Sequence, residues 1–425
     1  MQKFIIEGGH PLEGEVIIGG SKNAALPLIA ASLLTEEPVL LENIPAISDV
    51  AAMAKIAEGL GAHIEFNAEK SAIRITAAAL SNPSVDEALT RKLRGSVLFS
   101  GALVGRMRNA ILPYPGGDVI GARPLATHLH ALEGLGCVIY EDGNNLRIDG
   151  ASLHGGEIVL EEQSVTATEN TILAAVLVPG ETIITLAAFE PHVQELVAFL
   201  NKMGADIQWI DFSRLMIRGV KRLNGITHRI NPDEIEISSF AALAGATRSR
   251  IFLRNVEPKY LDAIFLQLRK MGVSYTISGN GPLATLGIEK PPAVYKSFRI
   301  QSGFYPKLVT DHIPPFAVLA TQAHGTSLIH DWMYENRLRY IPELQKMGAH
   351  CTILDPHRAL ITGPSSLRGS EIETYDIRSG MTLVIAGLTA EGRSTISNIE
   401  HIDRGYEKID QRLRALGANI ERINE

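Results

Sequence analysis

The sequence predicts an α/β protein of two domains, each built from three repeated units of strands and helices. A short motif recurs six times along the 425 residues: a helix ends at a glycine, and a strand follows after one small residue. A single hydrophobic core stops growing beyond roughly 250–300 residues, so six units of about 70 residues divide best between two domains. The repeat glycines lie 68 to 76 residues apart and are Gly61, Gly136, Gly204, Gly272, Gly348 and Gly417.

Each repeat glycine is expected to end its helix in the left-handed conformation, which glycine adopts without a steric penalty. The residues before it have the apolar spacing of three and four that a half-buried helix requires, as in Leu196, Phe199, Leu200 and Met203. LGA triplets are common in proteins, but six copies at near-equal spacing make coincidence a poor explanation.

A second strand is expected before each helix, because the runs there are rich in β-branched and aliphatic residues. A unit with strands and helices in about 70 residues is longer than the 20–50 residues typical of solenoid repeats. These predicted strands lie at 38–45, 181–191, 250–258, 326–335 and 393–401.

The composition is that of a cytosolic globular protein. Hydrophobic residues make up 45% and charged residues 20%, and the formal net charge of −7 argues against a broad nucleic-acid surface. Two cysteines cannot form a disulfide framework. No secretory signal and no run of about 18 apolar residues are visible, so neither secretion nor a membrane span is expected.

Two glycine-containing tracts in the first half carry candidate anion-binding side chains. In GGSKNAALP at 19–27, Lys22 stands at the expected start of a helix, where backbone N–H groups attract anions. In the long tract at 112–136, Asp118 follows a Pro-Gly-Gly turn, and Arg123 precedes a helix. The alternatives are a solvated Lys22, an Asx-turn role for Asp118 and a solvated Arg123.

Two tracts in the second half carry further candidates. Asp311 precedes His312 and two prolines, so it is expected at a constrained turn before a helix. Arg378 and Arg404 each follow an acidic residue and precede small residues. The alternatives are a helix-capping aspartate and surface ion pairs of little energetic worth.

The sequence shows no metal-ligand spacing, no P-loop and no complete dinucleotide-binding motif, so no cofactor is expected. Cys137 and Cys351 both fall shortly after a repeat glycine, by one and three residues respectively. Those positions favour small core residues, and both cysteines are therefore expected to be structural.

Taken together, these tracts resemble the enolpyruvyl transferase (EPSP synthase) family, and within it the branch that acts on UDP-N-acetylglucosamine. The resemblance runs over essentially the whole chain, and its longest motif is also its most specific. The matching motifs are GGSKNAALP, PGGDVIGARP, SVTATEN, ENRL-RYIPELQKMGAH and HIDRGYEKIDQRLRALGANIER.

The resemblance implies an inside-out α/β barrel of two domains, each with three repeated units, in which the first strand pairs with the C-terminal half. One domain would comprise residues 1–21 plus 230–425 and the other residues 22–229, with the active site in the cleft between them. The implied reaction moves the enolpyruvyl group of phosphoenolpyruvate to the 3-hydroxyl of UDP-N-acetylglucosamine and releases phosphate, the first committed step of peptidoglycan precursor synthesis in the cytoplasm. The oligomeric state is not implied.

The resemblance also assigns roles to individual residues. Lys22, Arg123 and Arg404 match residues that bind phosphoenolpyruvate, and Asp311 matches the carboxylate that takes the proton of the reacting sugar hydroxyl. The remaining matches are substrate-binding residues: Asn23, Arg94, Ser164, Val165, Arg337 and Arg378.

Asp118 stands where most members of the family carry a cysteine on the mobile Pro-Gly-Gly loop, and a minority carry aspartate. That residue is thought to act as an acid and to assist product release. Fosfomycin, an epoxide, inactivates the family by alkylating the cysteine, so the sequence predicts fosfomycin resistance.

Four positions depart from the usual pattern of the branch around the nucleotide of the acceptor, whereas the phosphoenolpyruvate side is intact. Two alternatives therefore stay open: enolpyruvyl transfer to a different uridine nucleotide, and a non-catalytic paralogue that binds a nucleotide sugar. The departing residues are Ala126, Glu162, Thr166 and Glu234.

Overall fold

The computed structural model describes residues 2–289 and 294–424. The chain forms two compact units. The first comprises the residues up to Gly19, the stretch Asp118–Ala122 and the residues from Pro232 onward, and the second comprises Gly20–Gly117 and Arg123–Asn231. The short stretch Asp118–Ala122 differs from the predicted division, because it is bonded to residues of the first unit.

Helices occur throughout both units, and short 3₁₀ helices precede several of them. The α-helices of the described residues are α1 (Lys22–Ala31), α2 (Ser48–Gly59), α3 (Glu87–Thr90), α4 (Leu98–Met107), α5 (Ala126–Gly134), α6 (Val165–Ala175), α7 (Pro191–Lys202), α8 (Glu234–Ala246), α9 (Asp262–Met271), α10 (Ile313–Thr321), α11 (Tyr340–Lys346), α12 (Ile377–Thr389), α13 (Glu400–Asp403) and α14 (Ile409–Ala415). None of the described helices has both the length and the apolarity needed to cross a bilayer.

Short strands alternate with these helices along the whole chain. The strands of the described residues are β1 (Gln2–Gly8), β2 (Glu13–Ile17), β3 (Val39–Glu42), β4 (His63–Asn67), β5 (Ala72–Thr76), β6 (Asn109–Pro113), β7 (Val138–Asp142), β8 (Asn145–Asp149), β9 (Glu157–Val159), β10 (Glu181–Thr185), β11 (Asp206–Asp211), β12 (Arg214–Arg218), β13 (Thr227–Arg229), β14 (Arg250–Val256), β15 (Tyr275–Ser278), β16 (Ala284–Ile288), β17 (Tyr295–Lys296), β18 (Arg299–Gln301), β19 (Ala323–His330), β20 (His350–Asp355), β21 (Arg358–Gly363), β22 (Glu371–Glu373), β23 (Gly392–Ser397) and β24 (Asn419–Asn424).

The strands form small mixed sheets, and each sheet lies within one unit. In the first unit the orders are β22-β23-β1-β24, β15-β16-β14-β2 and β17-β19-β21-β20, with β18 also paired to β19. In the second unit they are β13-β3-β5-β4, β6-β8-β7 and β11-β12-β10-β9. Strand β1 pairs antiparallel with both β23 and β24, which confirms that the first strand joins the C-terminal half.

The repeat glycines behave as predicted. All six have positive φ, between 85° and 109°, and each follows a helix and precedes a strand by two or three residues. At Gly61 the backbone N–H donates to Glu58 at 3.0 Å, and the Ala62 N–H donates to Ala57 at 3.0 Å, so the last turn of α2 is satisfied by its own cap. The six-unit α/β architecture is confirmed.

Each unit is built around three helices that are buried almost all round. Every residue of α8 is buried, and nearly all of α1 and α12 are. These helices are largely apolar and also bury some polar residues, such as Glu169 on α6, because neighbouring elements of the unit cover them. In the first unit the buried helices are α8, α10 and α12, and in the second unit they are α1, α4 and α6.

Candidate active site

Many of the predicted site residues lie at the amino-terminal ends of the buried helices. Lys22 is the first residue of α1, Val165 the first of α6 and Arg378 the second of α12. A helix begins with backbone N–H groups that have no partner inside the helix, and these groups give it a partial positive charge. Within each unit, cationic side chains therefore lie at the amino end of a buried helix, a combination that suits an anionic ligand.

In the second unit, Lys22 is held by a buried carboxylate. Its Nζ lies 3.1 Å from Oδ2 of Asp49, whose side chain is 4% exposed. Asn23 follows on α1 and is half-buried, while Ser21 caps the helix. The capping serine and the ion pair fix the first turn of α1, so Lys22 has a defined position before any ligand binds.

Arg94 and Arg123 lie close to the same glycine in the second unit. A Cβ on Gly117 would lie 3.1 Å from the Arg94 Cβ and 3.5 Å from Nη2 of Arg123. The Arg94 guanidinium donates to the carbonyl of Pro124 at 3.1 Å, which ties it to the segment that carries Arg123. Two cations therefore lie together where the sequence placed them in separate tracts.

The start of α6 is linked to α5 through a buried histidine. Ser164 caps α6, and Thr166 in its first turn lies 3.1 Å from Nε2 of His128. Burial, with a further contribution from the nearby Arg94, lowers the pKa of His128 to about 3. His128 is therefore neutral at physiological pH and serves as a hydrogen-bonding group beside Ser164 and Val165 rather than as a cation.

Asp311 is the centre of an ion-pair network in the first unit. Its Oδ1 accepts from Nη2 of Arg337, and its Oδ2 accepts from Nε of Arg378 at 3.1 Å. Asp311 lies on a 3₁₀ turn directly before α10, so two carboxylate oxygens meet two guanidinium groups at the amino ends of α10 and α12. The simple capping role considered for Asp311 does not describe this arrangement.

Arg337 and Arg378 are buried, and the surface ion-pair reading of Arg378 is wrong. Each is about 2% exposed, and Arg337 also bonds Asp376 at 3.2 Å. Burial disfavours both charges, but Asp311 and the other neighbours outweigh it and raise both pKa values, so both remain charged. Among the described residues, Nε of Arg337 and Nη1 of Arg378 have no hydrogen-bond acceptor. Buried guanidinium donors without acceptors are typical of a site that receives an anion.

Asp118 belongs to the first unit and pairs there with an arginine. Its Oδ1 accepts from Nη1 of Arg404, which is 16% exposed. The carbonyl of Ile120 accepts the N–H of Asn336 at 3.0 Å, and Glu335 accepts the N–H of Ala122 at 2.8 Å. The loop that carries the candidate acid is therefore placed beside a candidate phosphate-binding arginine.

The structure adds residues that the sequence reasoning missed. Asp376 caps α12 with a capping box and bonds Arg337, and its position before α12 could have signalled the capping role alone. Asp49 and Glu335 gave no such signal, because they meet their partners only through the fold.

Glu169, on α6, is a fully buried carboxyl group of the second unit. Burial raises its pKa to about 8, with His192 lowering it and Glu190 raising it by smaller amounts. Its Oε1 has no hydrogen-bond partner among the described residues. At neutral pH the folded protein therefore keeps Glu169 protonated.

Glu169→Gln is expected to stabilise the protein increasingly as the pH rises from 5 to 8.5. An unfolded glutamate loses its proton near pH 4.5 and the folded one only near 8, so wild-type stability falls as the pH rises through that window. Glutamine has no proton to lose. Thermal unfolding of both proteins should coincide near pH 5 and differ by several degrees at pH 8.5.

The matched control is Glu162→Gln, since Glu162 is exposed and lies shortly before the same helix. Its unfolding temperature should follow the wild type at every pH. A pH-independent offset in Glu169→Gln would show that Glu169 is already ionised in the folded protein.

Comparison with known proteins finds a matching family and relatives that align over nearly the whole chain. The family model for EPSP synthase (3-phosphoshikimate 1-carboxyvinyltransferase) matches residues 6–413. The UDP-N-acetylglucosamine 1-carboxyvinyltransferase of Treponema denticola is 44% identical over 99% of this chain and 99% of its own length. The protein of the same name from Bradyrhizobium diazoefficiens is 40% identical over 100% of this chain and 98% of its own length.

Solved structures share the fold at lower sequence identity. The enolpyruvyl transferase NikO from Streptomyces tendae superposes with a TM-score of 0.91 at 23% identity, covering 100% of this chain and 99% of that one. The EPSP synthase of Acinetobacter baumannii gives a TM-score of 0.80 at 21% identity over the full length of both chains. At these sequence identities, the structural similarity shows a shared fold and does not by itself assign a role.

Proposed function

This chain belongs to the EPSP synthase family, and from that premise we propose that it transfers the enolpyruvyl group of phosphoenolpyruvate to the 3-hydroxyl of UDP-N-acetylglucosamine and releases phosphate. Relatives with 38–44% identity over nearly the whole chain are named for that activity. The family resemblance drawn from the motifs is confirmed. The proposal includes a place in peptidoglycan precursor synthesis and a cytoplasmic location, where both soluble substrates would be available.

The observation that carries the proposal is the pairing of Asp311 with two buried arginines. The reaction needs a base for the sugar hydroxyl and cations for the carboxylate and phosphate of phosphoenolpyruvate. Among the described residues, Arg337 and Arg378 each keep a buried donor without an acceptor, and both pair with Asp311, the proposed base.

The second unit contributes the residues proposed to orient the substrates. Lys22 and Arg123 would bind phosphoenolpyruvate, while Asn23 and Arg94 would contact the nucleotide sugar. Ser164 caps α6 and Val165 begins it, so this helix end would add its partial positive charge. Fixed cations and helix ends lower the cost of organising a polyanion before the chemical step.

The proposed chemistry proceeds by addition and elimination. Asp311 takes the proton of the sugar 3-hydroxyl as its oxygen bonds to C2 of the enol, and the protonated form of Asp118 delivers its proton to C3. The resulting tetrahedral phosphate ketal then returns a proton from C3 to the Asp118 carboxylate while the C2–O bond to phosphate breaks, and the proton held by Asp311 leaves with phosphate. Arg404, which pairs with Asp118, and Arg378 would stabilise the departing phosphate.

Phosphate release from phosphoenolpyruvate tests this function directly. Release should require UDP-N-acetylglucosamine and should be absent when either substrate is omitted. A panel of other uridine nucleotides, run in parallel, tests the departures at Ala126, Glu162, Thr166 and Glu234. Faster release with another uridine nucleotide would reassign the acceptor, and no release with any of them would favour the non-catalytic paralogue.

A further inference from the structure

Three contacts hold the Asp118 loop, residues Asp118–Ala122, in place within the first unit. One of these contacts depends on the carboxylate of Glu335, to which no role has been assigned. The N–H of Ala122 donates to Oε1 of Glu335 at 2.8 Å, the N–H of Asn336 donates to the carbonyl of Ile120 at 3.0 Å, and Asp118 pairs with Arg404. We propose that Glu335 is a positioning residue that docks the loop so that Asp118 lies beside Arg404. The inference rests on the proposed function for the role of Asp118, but not for the docking itself.

The surroundings of Glu335 fit a docking role. A Cβ added to Gly121 would collide with the Glu335 carboxylate and would lie 3.3 Å from its backbone nitrogen. A larger residue at this position would force the Glu335 side chain or the loop to shift. The Ala122 N–H, followed by the N–H of Glu335 itself, lowers the pKa of the Glu335 carboxyl, so the group is ionised and is the better acceptor for it.

The neighbouring side chains show which part of the loop is anchored. Ile120 is buried, whereas the adjacent Val119 is 65% exposed. The loop is therefore held through Ile120, Gly121 and Ala122, on the face that meets Glu335. Without Glu335, the Ala122 N–H loses a charged acceptor, and Ile120 and the Asp118 pair must hold the loop alone.

Glu335 also lies two residues before Arg337, which belongs to the ion-pair network around Asp311. Arg337, two residues later, begins a 3₁₀ turn and bonds both Asp311 and Asp376. One short segment thus contacts the loop through Glu335 and the proposed base through Arg337. A docked loop and an ordered Arg337 should therefore support each other, and loss of docking should slow the chemical step more than it weakens substrate binding.

The test compares Glu335→Ala with Glu335→Gln, which keeps a side-chain oxygen that can accept the Ala122 N–H. In Glu335→Ala, hydrogen exchange at Ile120–Ala122 in the substrate-free enzyme should be at least tenfold faster, and kcat should fall at least tenfold with little change in KM for the acceptor. Glu335→Gln should stay within about threefold of the wild type in both measurements. The control is Glu371→Ala on the exposed edge strand β22, which should change neither.

Gly121→Ala should also disrupt the contact between the Asp118 loop and Glu335. It should give the same loss, and the double variant Gly121→Ala with Glu335→Ala should be no worse than the worse single variant, since both remove one interaction. Additive losses, unchanged exchange in Glu335→Ala, or faster exchange with unchanged kcat would each overturn the proposal. Hydrogen exchange is measured without turnover and therefore tests the docking by itself. If the wild-type protein releases no phosphate, that result counts against the proposed function, and the docking is still tested by hydrogen exchange.

Discussion

Replacing Arg404 or Lys22 by alanine is expected to reduce kcat/KM for phosphoenolpyruvate more than a hundredfold. Both side chains are mostly buried, at 16% and 12% exposure, and each is proposed to bind the phosphate or carboxylate of a polyanion. A charge-assisted hydrogen bond contributes about 1.5–3 kcal/mol, and each cation is expected to make more than one. Steady-state phosphate release measures the loss.

The two variants should differ in stability. Lys22→Ala leaves Asp49 buried without its ion-pair partner, so its unfolding temperature should fall. Adding Asp49→Asn should restore the temperature without restoring activity. Arg404 pairs with Asp118, whose side chain is 14% exposed against 4% for Asp49, so the Arg404 alanine variant should lose less stability than Lys22→Ala.

Exposed cations of the same units provide the matched controls. Arg393 in the first unit and Lys55 on α2 are exposed, and their alanine variants should keep wild-type rates. Wild-type-like activity in Arg404→Ala or Lys22→Ala would contradict the site assignment.

The enzyme is expected to resist covalent inactivation by fosfomycin, because the loop carries Asp118 where the family resemblance implies a cysteine. A carboxylate is a weak nucleophile towards an epoxide. Neither cysteine can substitute: burial raises the pKa of both Cys137 and Cys351 to about 12, so both stay protonated thiols. Mass spectrometry after incubation should detect no adduct.

Two variants of Asp118 separate its chemical role from a turn role. Asp118→Cys should restore time-dependent inactivation and keep turnover, since a thiol can also carry a proton. Asp118→Asn should lose most activity, because an amide neither delivers a proton nor forms the ion pair with Arg404.

If Asp118 served only as a turn residue, Asp118→Asn should remain active, because asparagine forms the same Asx-turn as aspartate. An active Asp118→Asn enzyme would therefore favour that reading. An adduct on wild-type Asp118 or on either cysteine, accompanied by loss of activity, would contradict the predicted resistance.

The parts of the fold that follow from local physics were predictable. The glycine caps, the helices before them and the strands that flank them depend on φ preferences and on apolar spacing within about ten residues. The predicted strand at 181–191 begins at Glu181 but ends at Thr185, and the run at 326–335 begins earlier, at Ala323. Such ends depend on which partners a strand finds, and the sequence of the strand alone does not contain that information.

The site residues were found as types and motifs, but not as contacts. The sequence by itself determined the six units, the cationic tracts and the carboxylates at 118 and 311. Only the tertiary structure decided that Asp311 meets Arg337 and Arg378, 26 and 67 residues away, and that Asp118 meets Arg404, 286 residues away. The physical reason is that helix caps are local, whereas an ion pair needs two groups brought together and taken out of water, and that depends on how the buried helices pack.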